Sequence, residues 1–173
     1  MNLATYQTEA ICFTDLSRDP STRLSIAGMG LSGEAAEVLD VVFHGGFDYR
    51  AHLEKEVGDV MWYVAEIAST CNIALAATPL PPAPKRATLQ GHAVRLMVDA
   101  GGLTDYLKKV VGYGHDLDET LVVDRIGKVL HSVVDLLDVA DIDAEVVLLA
   151  NIAKLRRRYP NGFSAEASIH RAG

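Results

Sequence analysis

Gly30-Leu-Ser-Gly-Glu34-Ala-Ala-Glu37-Val-Leu-Asp40 and Glu54-Lys-Glu56-Val-Gly-Asp59-Val-Met-Trp62-Tyr63 are the two stretches that decide the fold. Each places a pair of acids three residues apart within an apolar sequence. Positions i and i+3 share one face of an α-helix, with their Cβ atoms roughly 5–6 Å apart. The pattern therefore predicts two amphipathic helices that, packed antiparallel, bring four carboxylates to one place: Glu34, Glu37, Glu56 and Asp59.

Four carboxylates this close together need a counter-charge. They repel one another, and burial removes the water that would screen them, so a bound cation is the natural partner. Oxygen ligands without cysteine or paired histidine favour Mg²⁺, with Mn²⁺ as the alternative, over zinc. Acids on a helix more often form a solvated face. Two such pairs in adjacent apolar helices favour the metal site instead.

The composition is that of a globular protein with one core. The chain has 173 residues, of which 49% are apolar and 23% charged, and its net charge is −7. A net negative charge argues against nucleic-acid binding, and no apolar run reaches the ~18 residues of a membrane span. The N-terminus lacks the features of a signal peptide. Cys12 and Cys71 lie far apart in apolar patterns, so we expect buried free thiols and a cytoplasmic location.

Apolar periodicity predicts an all-α protein. The expected helices span about 3–16, 22–43, 49–76, 87–112, 118–139 and 143–158. The segment 78–85 holds four prolines and is typical of a stiff linker. No segment shows the alternation of a strand. We therefore predict one domain over 1–173, with an antiparallel four-helix bundle core and further helices at both ends.

The second half of the chain resembles the first. With a shift of 69, residues 33–73 align with 102–142 without a gap, and apolar positions largely coincide. All four acids are lost in the second copy: Glu34, Glu37, Glu56 and Asp59 align with Leu103, Tyr106, Arg125 and Lys128. We predict a pseudo-dimer within one chain, with an active hairpin, a degenerate hairpin and one metal site. Arg125 and Lys128 are expected in surface or interchain salt bridges, and a homodimer through other faces stays open.

A third informative stretch closes the chain, Asn151-Ile-Ala-Lys154-Leu-Arg156-Arg157-Arg158-Tyr159-Pro160-Asn-Gly162-Phe163. Asn151, Lys154 and Arg158 follow helical spacing and share one face, and Pro160 ends the helix. Cations at a helix C-terminus also interact favourably with the helix dipole, which offers a purely structural explanation.

These stretches together resemble the MazG-like, all-α nucleoside triphosphate pyrophosphohydrolases, with their E-x-x-E…E-x-x-D pattern and their closing Asn-x-x-Lys segment. The resemblance covers residues 3–75 and 143–163. It implies hydrolysis of a nucleoside triphosphate to the monophosphate and pyrophosphate, in nucleotide-pool housekeeping, with Mg²⁺ held by Glu34, Glu37, Glu56 and Asp59. It also implies that the substrate phosphates bind the matching residues of the closing segment: Asn151, Lys154, Arg158 and Tyr159.

Two departures from the family pattern stand out. Residues 78–142 intervene where relatives pass almost directly to the closing helix. Gly33 stands where some relatives carry an additional acid, so the sequence leaves open which carboxylate accepts the proton of the attacking water.

Other functions remain compatible with the pattern. One is a non-catalytic regulator that binds nucleotide or metal on the same scaffold; another is a phosphoribosyl-ATP pyrophosphohydrolase, which shares the carboxylate chemistry. A third is a structural helical partner protein. The chain has no E-x-x-H pattern for a di-iron site and no P-loop motif.

Overall fold

The computed structural model describes residues 1–79 and 88–169, and within them the fold is all-α, as predicted. Most of the predicted linker 78–85 lies outside the described residues. Seven helices are formed in this part of the chain: α1 (Leu3–Ala10), α2 (Pro20–His44), α3 (Tyr49–Thr70), α4 (Leu89–Tyr113), α5 (Glu119–Val139), α6 (Ala144–Arg158) and α7 (Ala165–Ile169). Among them we find no helix with the length and apolar character that crossing a bilayer requires.

Two predicted helix ends differ from the structure. The first helix ends at Ala10 and continues only as a 3₁₀ turn, Ile11–Phe13. The third ends at Thr70 rather than near 76, because Asn72 adopts a left-handed conformation (φ 58°) that breaks the helix. The short α7 was not predicted, since five residues carry too little periodicity. Cys12 is exposed, contrary to expectation, whereas Cys71 is buried.

Helix α2 is the centre of the bundle, with α3 on one side and α4 on the other. It begins at Asp19, whose Oδ1 accepts a hydrogen bond from the Thr22 amide at 3.0 Å. At the α4 contact the Thr104 hydroxyl donates to the Gly28 carbonyl at 2.7 Å. At the α3 contact a Cβ on Gly30 would lie 2.1 Å from Cζ of Tyr63, so only glycine lets that ring pack on α2. Close packing thus offsets the helix-weakening effect of this glycine.

The hairpins α2–α3 and α4–α5 coincide in detail under the shift of 69. The shift maps Pro20–His44 onto Leu89–Tyr113 residue for residue. It also maps the cap Asp19 onto the cap Thr88, which binds the Gly91 amide. The left-handed residue after α3, Asn72, falls on Asp141, which is left-handed as well (φ 54°). These coincidences agree with the repeat, which stays a prediction.

Candidate active site

Three of the four predicted acids converge where α2 and α3 face each other. Glu34 comes from α2, and Glu56 and Asp59 from α3. One carboxylate oxygen from each lies within 4.8 Å of the other two. Glu37, one turn after Glu34, is exposed and stands outside this trio, although it lines the same cleft.

The trio is electrostatically strained. Burial and the charges of Asp59, Glu37 and Glu56 raise the pKa of Glu34 to about 7, against a partial opposing effect of Lys154. Glu56 is buried, with Oε1 bonded to Lys55 Nζ at 2.8 Å and Oε2 without a hydrogen-bond partner in the described part of the chain. An unpartnered buried carboxylate oxygen is costly. A divalent cation bound here would remove that cost, and the all-oxygen donors suit Mg²⁺.

Asp59 is held by one oxygen only. Its Oδ1 accepts from Asn151 Nδ2 at 3.0 Å and from the Lys154 ammonium. Its Oδ2 accepts no hydrogen bond from any described residue. This arrangement fixes the carboxylate and leaves the second oxygen available, as outer partners do for metal ligands.

Asn151 is itself held in place by Tyr6 and by its packing against Gly58. It is buried, its Oδ1 accepts from the Tyr6 hydroxyl at 2.9 Å, and its Cβ lies against the backbone at Gly58. Burial and the charge of Asp59 raise the pKa of Tyr6, so the phenol stays protonated and can donate. Helix α1 therefore reaches the acid cluster through a chain of two hydrogen bonds, Tyr6 to Asn151 and Asn151 to Asp59.

The residues predicted to bind phosphate divide into two groups. Asn151 and Lys154 contact Asp59, whereas Arg158 and Tyr159 line the cleft that the acids also line. The Tyr159 ring packs on Phe163, with ring centroids 5.6 Å apart. The assignment of all four to substrate phosphates stays a prediction, and the geometry places Asn151 as a positioning residue for Asp59.

A cleft of about 340 Å³ extends from the acid cluster along α2 and α3. Lys55, bonded to Glu56, borders its acidic end, and Arg158 also lines the cleft. Its other end is lined by aromatic and polar side chains that the sequence interpretation did not single out: Phe13, Thr14, Arg23, Trp62, Tyr63 and Glu66. Their sequence signal is weak, because each has an ordinary structural explanation when considered alone.

The second hairpin carries a different arrangement at the equivalent positions. Arg125, which aligns with Glu56, donates from Nη1 to the Gly102 carbonyl at 2.8 Å and lies 5.6 Å from the centre of the Tyr106 ring. No described residue forms the expected surface salt bridge with Arg125, because the guanidinium turns inward onto its own hairpin, and an interchain pair stays a prediction. Lys128 forms the expected surface pair, with Asp124 at 2.6 Å.

Comparison with known proteins agrees with this geometry. The model of the MazG nucleotide pyrophosphohydrolase domain matches residues 25–77. The match spans the loop between α2 and α3, most of both helices and all four acids. The predicted resemblance is thereby confirmed, and the chain is MazG-like over this segment. Searches of the curated proteins and of the solved structures returned no significant match.

Proposed function

We propose that the protein is a Mg²⁺-dependent nucleoside triphosphate pyrophosphohydrolase that acts on the cytoplasmic nucleotide pool. One observation carries the proposal: Glu34, Glu56 and Asp59 converge at the end of a cleft, with an unpartnered buried oxygen, inside the segment that matches the MazG domain. A site of this kind suits a polyanionic substrate that arrives with a metal ion.

Each residue then has a defined task. Glu34, Glu56 and Asp59 would hold Mg²⁺ (or Mn²⁺), which supplies charge neutralisation at the phosphates and a more acidic bound water. Asn151 and Lys154 keep Asp59 in place. Arg158 faces the cleft and would balance charge on the leaving pyrophosphate.

Glu37 would have one of two roles in this reaction. It lies outside the trio but close enough to influence the pKa of Glu34. It would either complete the metal ligands when the metal binds or accept the proton of the attacking water.

The test is a panel of ribo- and deoxyribonucleoside triphosphates, with phosphoribosyl-ATP included, incubated with Mg²⁺ and scored separately for pyrophosphate and orthophosphate. We expect pyrophosphate and the monophosphate in equal amounts. Glu56→Gln should abolish the release, whereas Glu54→Gln, on the same helix but paired with Arg50, should not. Binding of nucleotide without release of pyrophosphate would contradict the proposal and favour a regulatory protein.

A further inference from the structure

The end of the cleft away from the acids contains a buried ion pair. Arg23 Nε donates to Glu66 Oε1 at 2.8 Å, and the two side chains are 14% and 6% exposed. Thr14 donates to the other oxygen, Oε2, at 2.6 Å. Both oxygens of Glu66 are therefore occupied, and Arg23 is held by its Nε alone.

This arrangement leaves the outer edge of the guanidinium available. The two terminal nitrogens of Arg23 form no hydrogen bond with the described residues, and Arg23 lines the cleft. A guanidinium fixed at Nε presents its terminal N–H groups as a rigid planar fork. The cleft end thus offers hydrogen-bond donors, while the carboxylate of Glu66 is already bonded to Arg23 and Thr14, and that of Asp15, which also lines the cleft, is paired with Arg18.

Aromatic rings lie beside this fork. Trp62 is fixed by a hydrogen bond from Nε1 to the Ala10 carbonyl at 3.2 Å, and its ring meets that of Tyr63 edge to face at 4.7 Å. Both rings line the cleft. Flat apolar surfaces next to a planar donor pair suit a flat heteroaromatic ligand.

The distance from the acids also fits. Glu66 follows Asp59 by seven residues on α3, which is about 10 Å along a helix that rises 1.5 Å per residue. A nucleoside whose phosphates lie at the acids would reach this end of the cleft with its base.

Resting on the proposed function, we infer that Arg23 selects the base of the substrate through two neighbouring hydrogen-bond acceptors. O6 and N7 of a 6-oxopurine form such a pair, as do N3 and O2 of cytosine. Adenine places an amino group next to N7, and uracil places an N–H between its two oxygens, so neither matches the fork. Glu66 and Thr14 are positioning residues that hold the fork in place.

The second hairpin lacks this arrangement. With the shift of 69, Arg23 and Glu66 fall on His92 and Asp135, whose Nδ1 and Oδ2 are 3.8 Å apart. An imidazole in this position offers no planar pair of terminal donors. The fork therefore belongs to the same hairpin as the acid cluster.

The experiment compares guanine, hypoxanthine, cytosine, adenine and uracil nucleotides, as ribo and deoxyribo forms, in wild type and in Arg23→Lys. Lysine keeps the charge but not the fork. The wild type should prefer the guanine, hypoxanthine or cytosine forms by roughly tenfold or more in kcat/KM, since a bidentate contact discriminates by about that factor. In Arg23→Lys the ratio of kcat/KM between the favoured and the other bases should fall roughly tenfold, mainly because kcat/KM for the favoured bases falls. A comparison of the guanine with the cytosine nucleotides shows which acceptor pair binds Arg23, O6 and N7 or N3 and O2.

Arg125→Lys is the matched control, because Arg125 is a partly buried arginine in the other hairpin. Its base ratio should equal that of the wild type. If Arg23→Lys folds poorly, Arg23→Met combined with Glu66→Met removes both charges with similar volume and should show the same loss of preference.

Equilibrium binding of α,β-imido triphosphates of the same bases separates this inference from the proposed function. Selective binding that Arg23→Lys abolishes supports the inference even without hydrolysis. Hydrolysis with no base preference overturns the inference and leaves the function intact. An equal loss for every base in Arg23→Lys also overturns it, because that result identifies a phosphate contact.

Discussion

Asp59 is the residue on which the site depends most directly, since two side chains, Asn151 and Lys154, hold its carboxylate. In Asp59→Asn the amide keeps the shape and loses the charge. We expect kcat to fall by on the order of 100-fold or more, as with the loss of other groups that stabilise transition-state charge. Calorimetry should show weaker Mg²⁺ binding, while circular dichroism stays that of the wild type. Turnover at the wild-type rate would contradict the assignment of Asp59 as a ligand.

The raised pKa of Glu34 makes a second prediction, for the metal-free protein. Its pKa is about 7 in the fold against an ordinary 4.5, so between these values the folded chain holds a proton that the unfolded chain releases. The unfolded state then binds fewer protons, and the free energy of unfolding falls as pH rises from 4.5 to 7.

Melting temperatures in EDTA at pH 5 and pH 8 measure this effect. Glu34→Gln should show a smaller drop than the wild type across that range, because glutamine does not titrate. Equal drops in the two proteins would mean that Glu34 is not strained. Added Mg²⁺ at pH 8 should restore much of the stability of the wild type.

At this scale the sequence predicted the acids but not the ion pair of Arg23 and Glu66 at the other end of the cleft. Glu34 and Glu37, or Glu56 and Asp59, are local neighbours whose shared face follows from helical spacing alone. Arg23 and Glu66 lie 43 residues apart, and their contact depends on how α2 crosses α3. Thr14 joins them only because the chain turns between α1 and α2.

Helix α6 acts as a support for α3, and Lys154 is the residue to test. Lys154→Met should lower kcat/KM roughly tenfold or more, the size expected for a partner that orients a metal ligand. Mg²⁺ affinity should not weaken, since a neighbouring positive charge is removed. This combination differs from that of Asp59→Asn, in which activity and metal affinity fall together.

Arg157→Ala is the control for this prediction. Arg157 is exposed on the last turn of α6, so its loss changes the helix-end charge without changing contacts to Asp59. If Lys154→Met and Arg157→Ala both lower the melting temperature and leave kcat and KM unchanged, then Lys154 only stabilises the helix through its favourable interaction with the helix dipole.

Element boundaries show the limit of periodicity. The starts of α2, α4 and α5 lie within about two residues of the predicted ones, and in the structure the side chains of Asp19, Thr88 and Asp118 cap them. The end of α3 was missed, since Cys71 and Ile73 continue the apolar pattern while the backbone already turns at Asn72. A left-handed asparagine leaves little signal in one sequence.

For the whole molecule, the loss of all four acids at the equivalent positions of α4–α5 predicts one carboxylate cluster per chain. Calorimetry with a nonhydrolysable triphosphate and Mg²⁺ should saturate at one nucleotide per chain. Mixing Glu34→Gln with Asp59→Asn should restore no activity, since each cluster comes from one chain. Recovery of activity in the mixture would show that acids are shared between chains.

The second hairpin has no carboxylate cluster to neutralise, because Arg125 stands in place of Glu56 and bonds to the Gly102 carbonyl. The first hairpin depends on a solute for its neutralising charge, so its local opening should respond to the concentration of Mg²⁺. Hydrogen exchange followed by mass spectrometry should therefore slow in α2 and α3 on titration with Mg²⁺. Exchange in α4 and α5 should change far less, and equal slowing in both hairpins would mean that they open only together. If exchange slows in α2 and α3 alone, one chain holds two versions of the same hairpin, and only the version with the acids is stabilised by dissolved Mg²⁺.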